Sequence, residues 1–484
     1  MDNTEVGYVV SSRGYLAYLD GLPTIKINDL VSTDDGITGL VHALNTTAVE
    51  VLLLSSSSVT PGKEFRATGR RLELEVGDYL IGRAINPLGI PVDGKGILSK
   101  VGLKRFELEP PAQTIEAREF IKDQLITGIS AVDTLIPLGL GQRELIIGDA
   151  HSGIQNFLIN IIVNQTPQGL ICIYAAIGKP VSQITNLIHT LQVNKALNHT
   201  VVIASSATDG SPLIFLTPLT ALTIAEYFKN QGKNVLVVLD DMGIHAQAYR
   251  EISLLGGRSP GRESYPGDIF YTQAKLLERA GKFNPSAGGG SITAFPVIEL
   301  NLNDFTGFIP TNLMSITDGH LLFRSSLYNK NQRPAIDIGL SVSRVGRQTQ
   351  NLISNLLSRK LRQCLAEASE LETLSQFSAE LPPQTQLILR QKQVLLELLK
   401  QDDLTLLPLP FQAILLGLVF TEFIKDKNEV TIRRFKNAIL KTIGTDPEII
   451  KLQTNISKFK SDDELIKALD AVVPRVNAVL GGKK

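Results

Sequence analysis

Leu145-Ile146-Ile147-Gly148-Asp149-Ala150-His151-Ser152-Gly153-Ile154-Gln155 carries more structural information than any other stretch of this chain. An apolar strand, Leu145 to Ile147, runs into Gly148. Four residues follow, then Gly153, and the apolar spacing beyond it predicts a helix from Ile154 to Val163. This is the frame of a phosphate-binding loop. In such a loop glycines let backbone N–H groups wrap phosphates, a Lys reaches the outer phosphates, and a Ser or Thr hydroxyl ligates Mg²⁺. Here Ile154 and Gln155 stand in the last two positions.

Ile carries no charge, and an amide is a poor substitute for a hydroxyl on a hard, octahedral cation. Losing one charge-assisted phosphate contact costs about 1.5 to 3 kcal/mol, and losing the metal ligand costs a similar amount. Together these losses amount to roughly a hundred- to ten-thousandfold in affinity. A backbone cradle that attracts an anion weakly, without catalysis, is the expectation. Taken alone, the stretch also reads as an ordinary strand-to-helix turn.

The chain has 484 residues, room for about three domains. Apolar residues make up 43%, enough for each domain to have its own core. The 48 basic and 48 acidic residues cancel, so charge gives no case for nucleic acid or an anionic membrane surface as main partner. Two cysteines, Cys172 and Cys364, are too few for a disulfide framework and point to a reducing, cytosolic compartment. Met1 to Glu5 shows no basic region followed by an apolar run, so no signal peptide is read. The longest apolar helical stretch is taken to be Phe411 to Phe423, too short to span a bilayer.

From Val6 to Thr68, short runs of Val, Ile, Leu and Tyr alternate with turn signals such as Asp34-Asp35-Gly36 and Pro61-Gly62-Lys63, which predicts a small β-barrel or sandwich over residues 1–70. Residues 71–350 alternate apolar strands with helical segments, the pattern of a mainly parallel sheet wrapped by helices. Strands are expected at Leu145–Ile147, Leu170–Tyr174, Thr200–Ala204, Val235–Leu239 and Ile292–Val297. The fourth ends in Asp240-Asp241. A carboxylate at that end of a strand lies where open α/β sheets keep their ligands, and Asp240 is read either as a Mg²⁺ partner through water or as the cap of the next helix. Residues 351–484 form a helical bundle. Leu352, Ile353, Leu356, Leu357 and Leu361 recur at helical spacing, and Pro382-Pro383 and Pro408-Leu409-Pro410 act as breaks.

The fold class is therefore multidomain: β-barrel, central α/β domain of phosphate-loop type, helical bundle. That order resembles the head subunits of rotary ATPases, and specific stretches make the likeness closer. They include Gly89-Ile90-Pro91-Val92-Asp93-Gly94-Lys95-Gly96, Gly141-Gln142-Arg143-Glu144, Tyr265-Pro266-Gly267-Asp268, Ser315-Ile316-Thr317-Asp318-Gly319 and Gly339-Leu340-Ser341-Val342-Ser343-Arg344-Val345-Gly346. From Val6 into the C-terminal bundle the sequence resembles the α subunits of F-type ATP synthases.

That resemblance implies an alternating hexamer with β subunits around a central γ shaft, peripheral to the cytoplasmic face of the cell membrane, in a complex moving protons or sodium ions. Turnover there belongs to β sites, which α completes with an Arg that neutralises charge on the transferring phosphoryl group. Arg344 matches that position; a surface Arg paired with a helix end is the plainer alternative. Ser315 is expected on the same interface. The family's α subunits hold Mg-ATP in a site of their own. Here Gly148, Asp149, Gly153, Gln142 and Asp240 match its positions, Ile154 and Gln155 do not, and Lys179 stands where the family generally has Gln. No carboxylate base is present at Lys179, so that site lacks a residue to activate water. Lys179 is read as a solvent-facing loop residue or as reaching toward the phosphate position. ATP and Mg²⁺ are not expected as retained cofactors, and no metal site is read.

The family's α subunits have a helical extension ahead of the barrel that engages the peripheral stalk, whereas this barrel begins within a few residues of Met1. Attachment to the stalk, and to its δ subunit, is expected to be absent or made differently. The leading expectation is a non-catalytic α subunit with a decayed site of its own and a persisting interface role. The competing expectations are a self-sufficient ATPase and a scaffold subunit in a related ring not coupled to a membrane motor.

Overall fold

The computed structural model describes residues 5–55, 58–99, 101–111, 113–300, 304–375, 382–422, 427–441 and 445–481. The opening residues 1–4, and Phe423 at the end of the apolar stretch named above, lie outside them. The protein divides into two compact units that interleave along the sequence. The first comprises residues 1–120, 141–147 and 165–318; the second comprises 121–140, 148–164 and 319–484.

The first unit opens with a closed antiparallel barrel. Its strands are β1 (Val6–Arg13), β2 (Leu16–Gly21), β3 (Asp29–Ser32), β4 (Thr38–Leu44), β5 (Val49–Leu53) and β6 (Glu64–Arg71), in the order β1-β2-β5-β4-β3-β6. Val9, Leu19, Val31, Val41, Val51 and Phe65 fill its interior, while Tyr8 and Val10 on either side of Val9 face outward, as a two-residue period requires.

The same unit then builds a parallel sheet. Ala84–Ile85, Thr200–Ser206, Ile171–Lys179, Asn234–Asp240 and Ser291–Leu300 lie side by side, and Arg143 bridges Ala294 in parallel where the strand Glu144–Asp149 begins. Val235-Leu236-Val237-Val238-Leu239 is apolar throughout because both faces are covered. The strand expected at Leu170–Tyr174 runs on to Lys179: Ala175 and Ala176 keep their pairing, the register slips at Ile177 and Gly178, and pairing resumes at Lys179 with Ser206. Ala176 thereby comes level with Asp240.

The longest apolar helix is Ser211–Lys229, not the stretch beginning at Phe411, and this corrects the sequence reading. It is long and apolar enough to cross a membrane by length and composition, yet it is a core helix with most of its surface buried. Thr217, Thr220, Thr223 and Pro218 disguise it in the sequence. In the structure, Thr217 and Thr223 satisfy their hydroxyls on the carbonyls of Leu213 and Leu219 one turn back, at 2.8 and 3.0 Å.

The second unit holds the loop from Gly148, the helix Ile154–Asn164, the pair of strands Gly319–Phe323 and Val342–Ser343, and the C-terminal helices from Leu352 onward. On Leu352–Ser375 the buried stripe is Ile353, Leu357, Leu361, Cys364 and Ala368, every third or fourth residue, which leaves Leu352 exposed. Pro383 opens the next helix at its first turn, and Pro408 caps Leu409–Gly417. Asp133 ties residues of the 121–140 segment to these helices. Its buried carboxylate accepts from Thr127 N at 2.8 Å, Thr127 Oγ1 at 2.7 Å, Gly128 N at 2.9 Å and Gln412 Nε2 at 2.7 Å. Burial pushes its pKa up to about 6, and the four hydrogen bonds resist that rise.

Candidate functional site

In the second unit the loop after Gly148 is closed by neighbouring side chains. Asp149 is buried, and its Oδ2 accepts from the backbone N–H and the hydroxyl of Ser325, both at 2.9 Å. Ser152 turns its hydroxyl back onto the Asp149 carbonyl at 2.6 Å. Gly153 has φ +87°, and a Cβ there would stand 2.9 Å from the Tyr328 ring, so glycine is required on both counts. Arg333 lies over the same ring, 4.0 Å from its centroid.

Ile154 is buried and Gln155 exposed on the first turn of the helix. In the same turn Asn156 Nδ2 donates to Asp403 Oδ2 at 2.7 Å, and one turn further Asn160 Oδ1 accepts from Leu404 N at 3.1 Å. The cavity left among Gly153, Asn156, Tyr328, Arg333 and Asp403 is about 20 Å³. That is room for one water, against several hundred Å³ for a nucleotide-sized ligand.

In the first unit, Lys179 and Asp240 come together: Lys179 Nζ is 2.8 Å from Asp240 Oδ1. Tyr174 donates its hydroxyl to Asp240 Oδ2 at 2.7 Å. Burial works against the Lys179 ammonium, but Asp240 and Asp241 outweigh it and hold its pKa above the ordinary lysine value. The Tyr174 phenol is pushed well up, first by burial and then by Asp240. Asp241 is pushed up to about 7 by burial and by the charge of Asp240, with Lys179 opposing.

The side chain of Lys179 is only 13% exposed, which corrects the solvent-facing alternative; its partner is a carboxylate on the adjacent strand. The capping role weighed for Asp240 belongs to its neighbour, because Asp241 is the residue that accepts from Gly243 N at the start of Met242–Leu255. Gln142 is fully buried, with Nε2 donating to Glu144 at 2.7 Å and its backbone carbonyl accepting from Ala294 N at 3.0 Å. Among the described residues no group of three or more His, Cys, Asp or Glu is placed to hold a metal ion.

Arg344 sits in the second unit on a turn pinned on both sides. Ser343 Oγ donates to the Pro137 carbonyl at 2.6 Å and accepts from Gly346 N at 3.2 Å. A Cβ on Gly346 would run into the Pro137 carbonyl oxygen, so only glycine lets the turn close so tightly. Arg344 itself is exposed and makes no hydrogen bond or ion pair with any described residue, so the alternative of a helix-end pair finds no partner there. Its charge is felt by His320, whose pKa is lowered first by burial and then by Arg344, against the help of a 2.8 Å contact with the Leu340 carbonyl. Ser315, on the helix Phe308–Ile316 of the first unit, donates to the Asn312 carbonyl at 2.7 Å.

Sequence reasoning missed Tyr328, Asp403 and Tyr174. Asn156 and Asn160 lie one helical turn apart on a mainly apolar helix, a signal that could have been read. Asp403 is 247 residues from Asn156, with no local pattern to join them.

Residues 128–343 match the family model described as the ATP synthase alpha/beta family, nucleotide-binding domain. Residues 350–476 match the C-terminal domain of the ATP synthase alpha/beta family. The ATP synthase subunit alpha of Macrococcus caseolyticus is 39% identical over 473 residues, covering 97% of this protein and 94% of that one. The ATP synthase subunit alpha of Staphylococcus aureus is 40% identical over 475 residues, covering 95% of this protein and 94% of its own length.

Proposed function

The chain belongs to the ATP synthase alpha/beta family, and on that footing we propose that it is the non-catalytic α-type subunit of an F-type ATP synthase head. In this reading it alternates with β subunits in a hexamer around a γ shaft, peripheral to the cytoplasmic face of the membrane. It lends Arg344 to sites owned by β. The relatives it matches almost end to end are named as α subunits.

One observation carries the interface role. Ser343 and Gly346 fix the backbone on either side of Arg344, while its guanidinium stays exposed and uncommitted to any described residue. Holding a charged side chain ready on a rigid turn is useful only if the charge acts on something outside the protein. On a phosphoryl group in flight, a guanidinium stabilises charge that grows in the transition state and meets it with a planar fork of donors. Little reorganisation is needed, because the backbone that presents it is already set.

Mg-ATP, the ligand that the family fold implies for this subunit's own loop, does not fit the residues present. Ile154 offers no charge and is buried, and Gln155 offers no hydroxyl. Asp149, beside the loop, is taken by Ser325. No chemical step is assigned to this site.

Coexpression with the β-type subunit of the same organism tests the reading. A hexamer that hydrolyses ATP is expected by native mass spectrometry and a coupled ATPase assay, with the isolated α-type subunit inactive. Equal turnover by the isolated subunit would overturn it.

A further inference from the structure

We infer that the phosphate-type loop is not an open site with two wrong residues but a site sealed by the protein itself, with Tyr328 and an Asp403–Asn156 clasp where a ligand would have to lie. This rests on the reading that the subunit's own site holds no nucleotide, and deepens it. Substituting Ile154 and Gln155 alone would leave an empty cradle, wide enough for an anion and costly to keep dry of partners. The structure has something different.

The Tyr328 ring lies against the apex of the loop, close enough that a methyl group on Gly153 would touch it. The Arg333 guanidinium lies over the same ring, 4.0 Å from its centroid. Asp403 takes the amide of Asn156 at 2.7 Å and approaches that of Asn160 at 3.4 Å, and the backbone N–H of Leu404 returns a bond to Asn160. The clasp therefore grips two side chains one turn apart, from a carboxylate and from the backbone next to it, a geometry that fixes direction as well as distance.

The loop around Asp403 is itself anchored. Gln401 Oε1 accepts from Ser130 N at 2.7 Å, its Nε2 donates to the Gly128 carbonyl at 2.9 Å, and Leu407 N reaches the same carbonyl. Asp403 also places a carboxylate beside the loop. An incoming phosphate would meet that negative charge at short range in a space that holds one water. Steric closure and charge act in the same direction, and both come from residues of this protein.

The test separates this from the simpler view that only the lost Lys and hydroxyl prevent binding. Four full-length proteins are compared in fluorescent ATP-analogue binding with Mg²⁺: wild type, the loop-restored variant Ile154→Lys/Gln155→Thr, the unsealed variant Tyr328→Ala/Asp403→Ala, and all four substitutions together. The expected result is at least a hundredfold tighter binding by the quadruple variant than by the loop-restored one, which should stay near wild type. Equal tight binding by those two would overturn the seal while leaving the decayed-loop reading intact. Failure of both to bind would overturn it as well, since unsealing would then free no site. Tight binding by wild type would instead sink the reading on which it rests.

A readout independent of folding in those variants is available because the sequence has no tryptophan. Tyr328→Trp provides a single reporter. Its emission is expected to be shielded from acrylamide at least threefold relative to the denatured protein, and unchanged by Mg-ATP. Full quenching in the folded protein would show a ring away from the loop and overturn the seal.

Discussion

Replacing Arg344 with Ala should separate what the residue does for its own subunit from what it does for a neighbour. The structure sets the first quantity near zero: the side chain is exposed, has no described hydrogen-bond or ion-pair partner, and leaves behind no buried group when truncated. Surface changes of this kind stay within about 0.5 kcal/mol. The flanking contacts of Ser343 and Gly346 with Pro137 do not involve the guanidinium, so the turn keeps its shape. On the proposed interface role the second quantity is large. A guanidinium aimed at a transferring phosphoryl group contributes about 10³- to 10⁵-fold in rate, which corresponds to about 4 to 7 kcal/mol of barrier. The assay is steady-state ATP hydrolysis by purified hexamers of matched subunit composition, with kcat and KM taken separately. Loss of turnover at unchanged assembly, with the fall mainly in kcat, is expected because the charge it meets develops in the transition state. Arg344→Lys should recover only part, since an ammonium keeps the charge but not the planar fork. Turnover within threefold of wild type for Arg344→Ala would refute the reasoning. So would failure of the variant to fold or assemble, which would make Arg344 structural.

Three further outcomes are expected. Gly346→Ala should cost about 2 to 3 kcal/mol, because the new methyl group meets the backbone carbonyl of Pro137 rather than a movable side chain; chemical denaturation measures the cost, and hexamers that form should show the turnover defect of Arg344→Ala. Asp133→Ala should cost about 3 to 5 kcal/mol, since it strands the donors of Thr127, Gly128 and Gln412 in a buried place; a urea midpoint within experimental error of wild type would contradict the tie it makes to the C-terminal helices. Asp241 is pushed up to about 7 in the folded protein from an ordinary value of 3.8, so between about pH 4 and 7 the folded state holds a proton that the unfolded state has released. Its contribution is fully present below about pH 4 and is lost as pH rises through 7, by up to about 4 kcal/mol. Asp241→Asn should remove that slope from the pH dependence of stability.

The architecture was legible in the sequence because its signals are local. Barrel strands show in the two-residue period broken by Gly and Asp turns. Parallel strands show in runs such as Val235-Leu236-Val237-Val238-Leu239, and the C-terminal helices in the stripe through Ile353, Leu357 and Leu361. The missing Lys and hydroxyl at Ile154 and Gln155 were equally plain, since a phosphate loop keeps its chemistry within eight consecutive residues. Two local readings failed for physical reasons. The helix Ser211–Lys229 hid its apolar length behind threonines whose hydroxyls are satisfied by the preceding turn. Lys179 looked like a loop lysine because Ala175 and Ala176, which lead to it, have little strand preference of their own and owe their pairing to the neighbouring strands.

Sequence alone determined the order of the domains, the exchange of Lys for Ile154, and the presence of an Arg in the Ser343-Arg344-Val345-Gly346 turn, because each is written in contiguous residues. Only the tertiary structure decided what those residues touch. Asp403 reaches Asn156 across 247 positions, Lys179 finds Asp240 on an adjacent strand, and Asp133 collects Gln412 from 279 positions away. Hydrogen bonds and charges act over a few ångströms, and separation along the sequence says nothing about which groups the fold brings within that range.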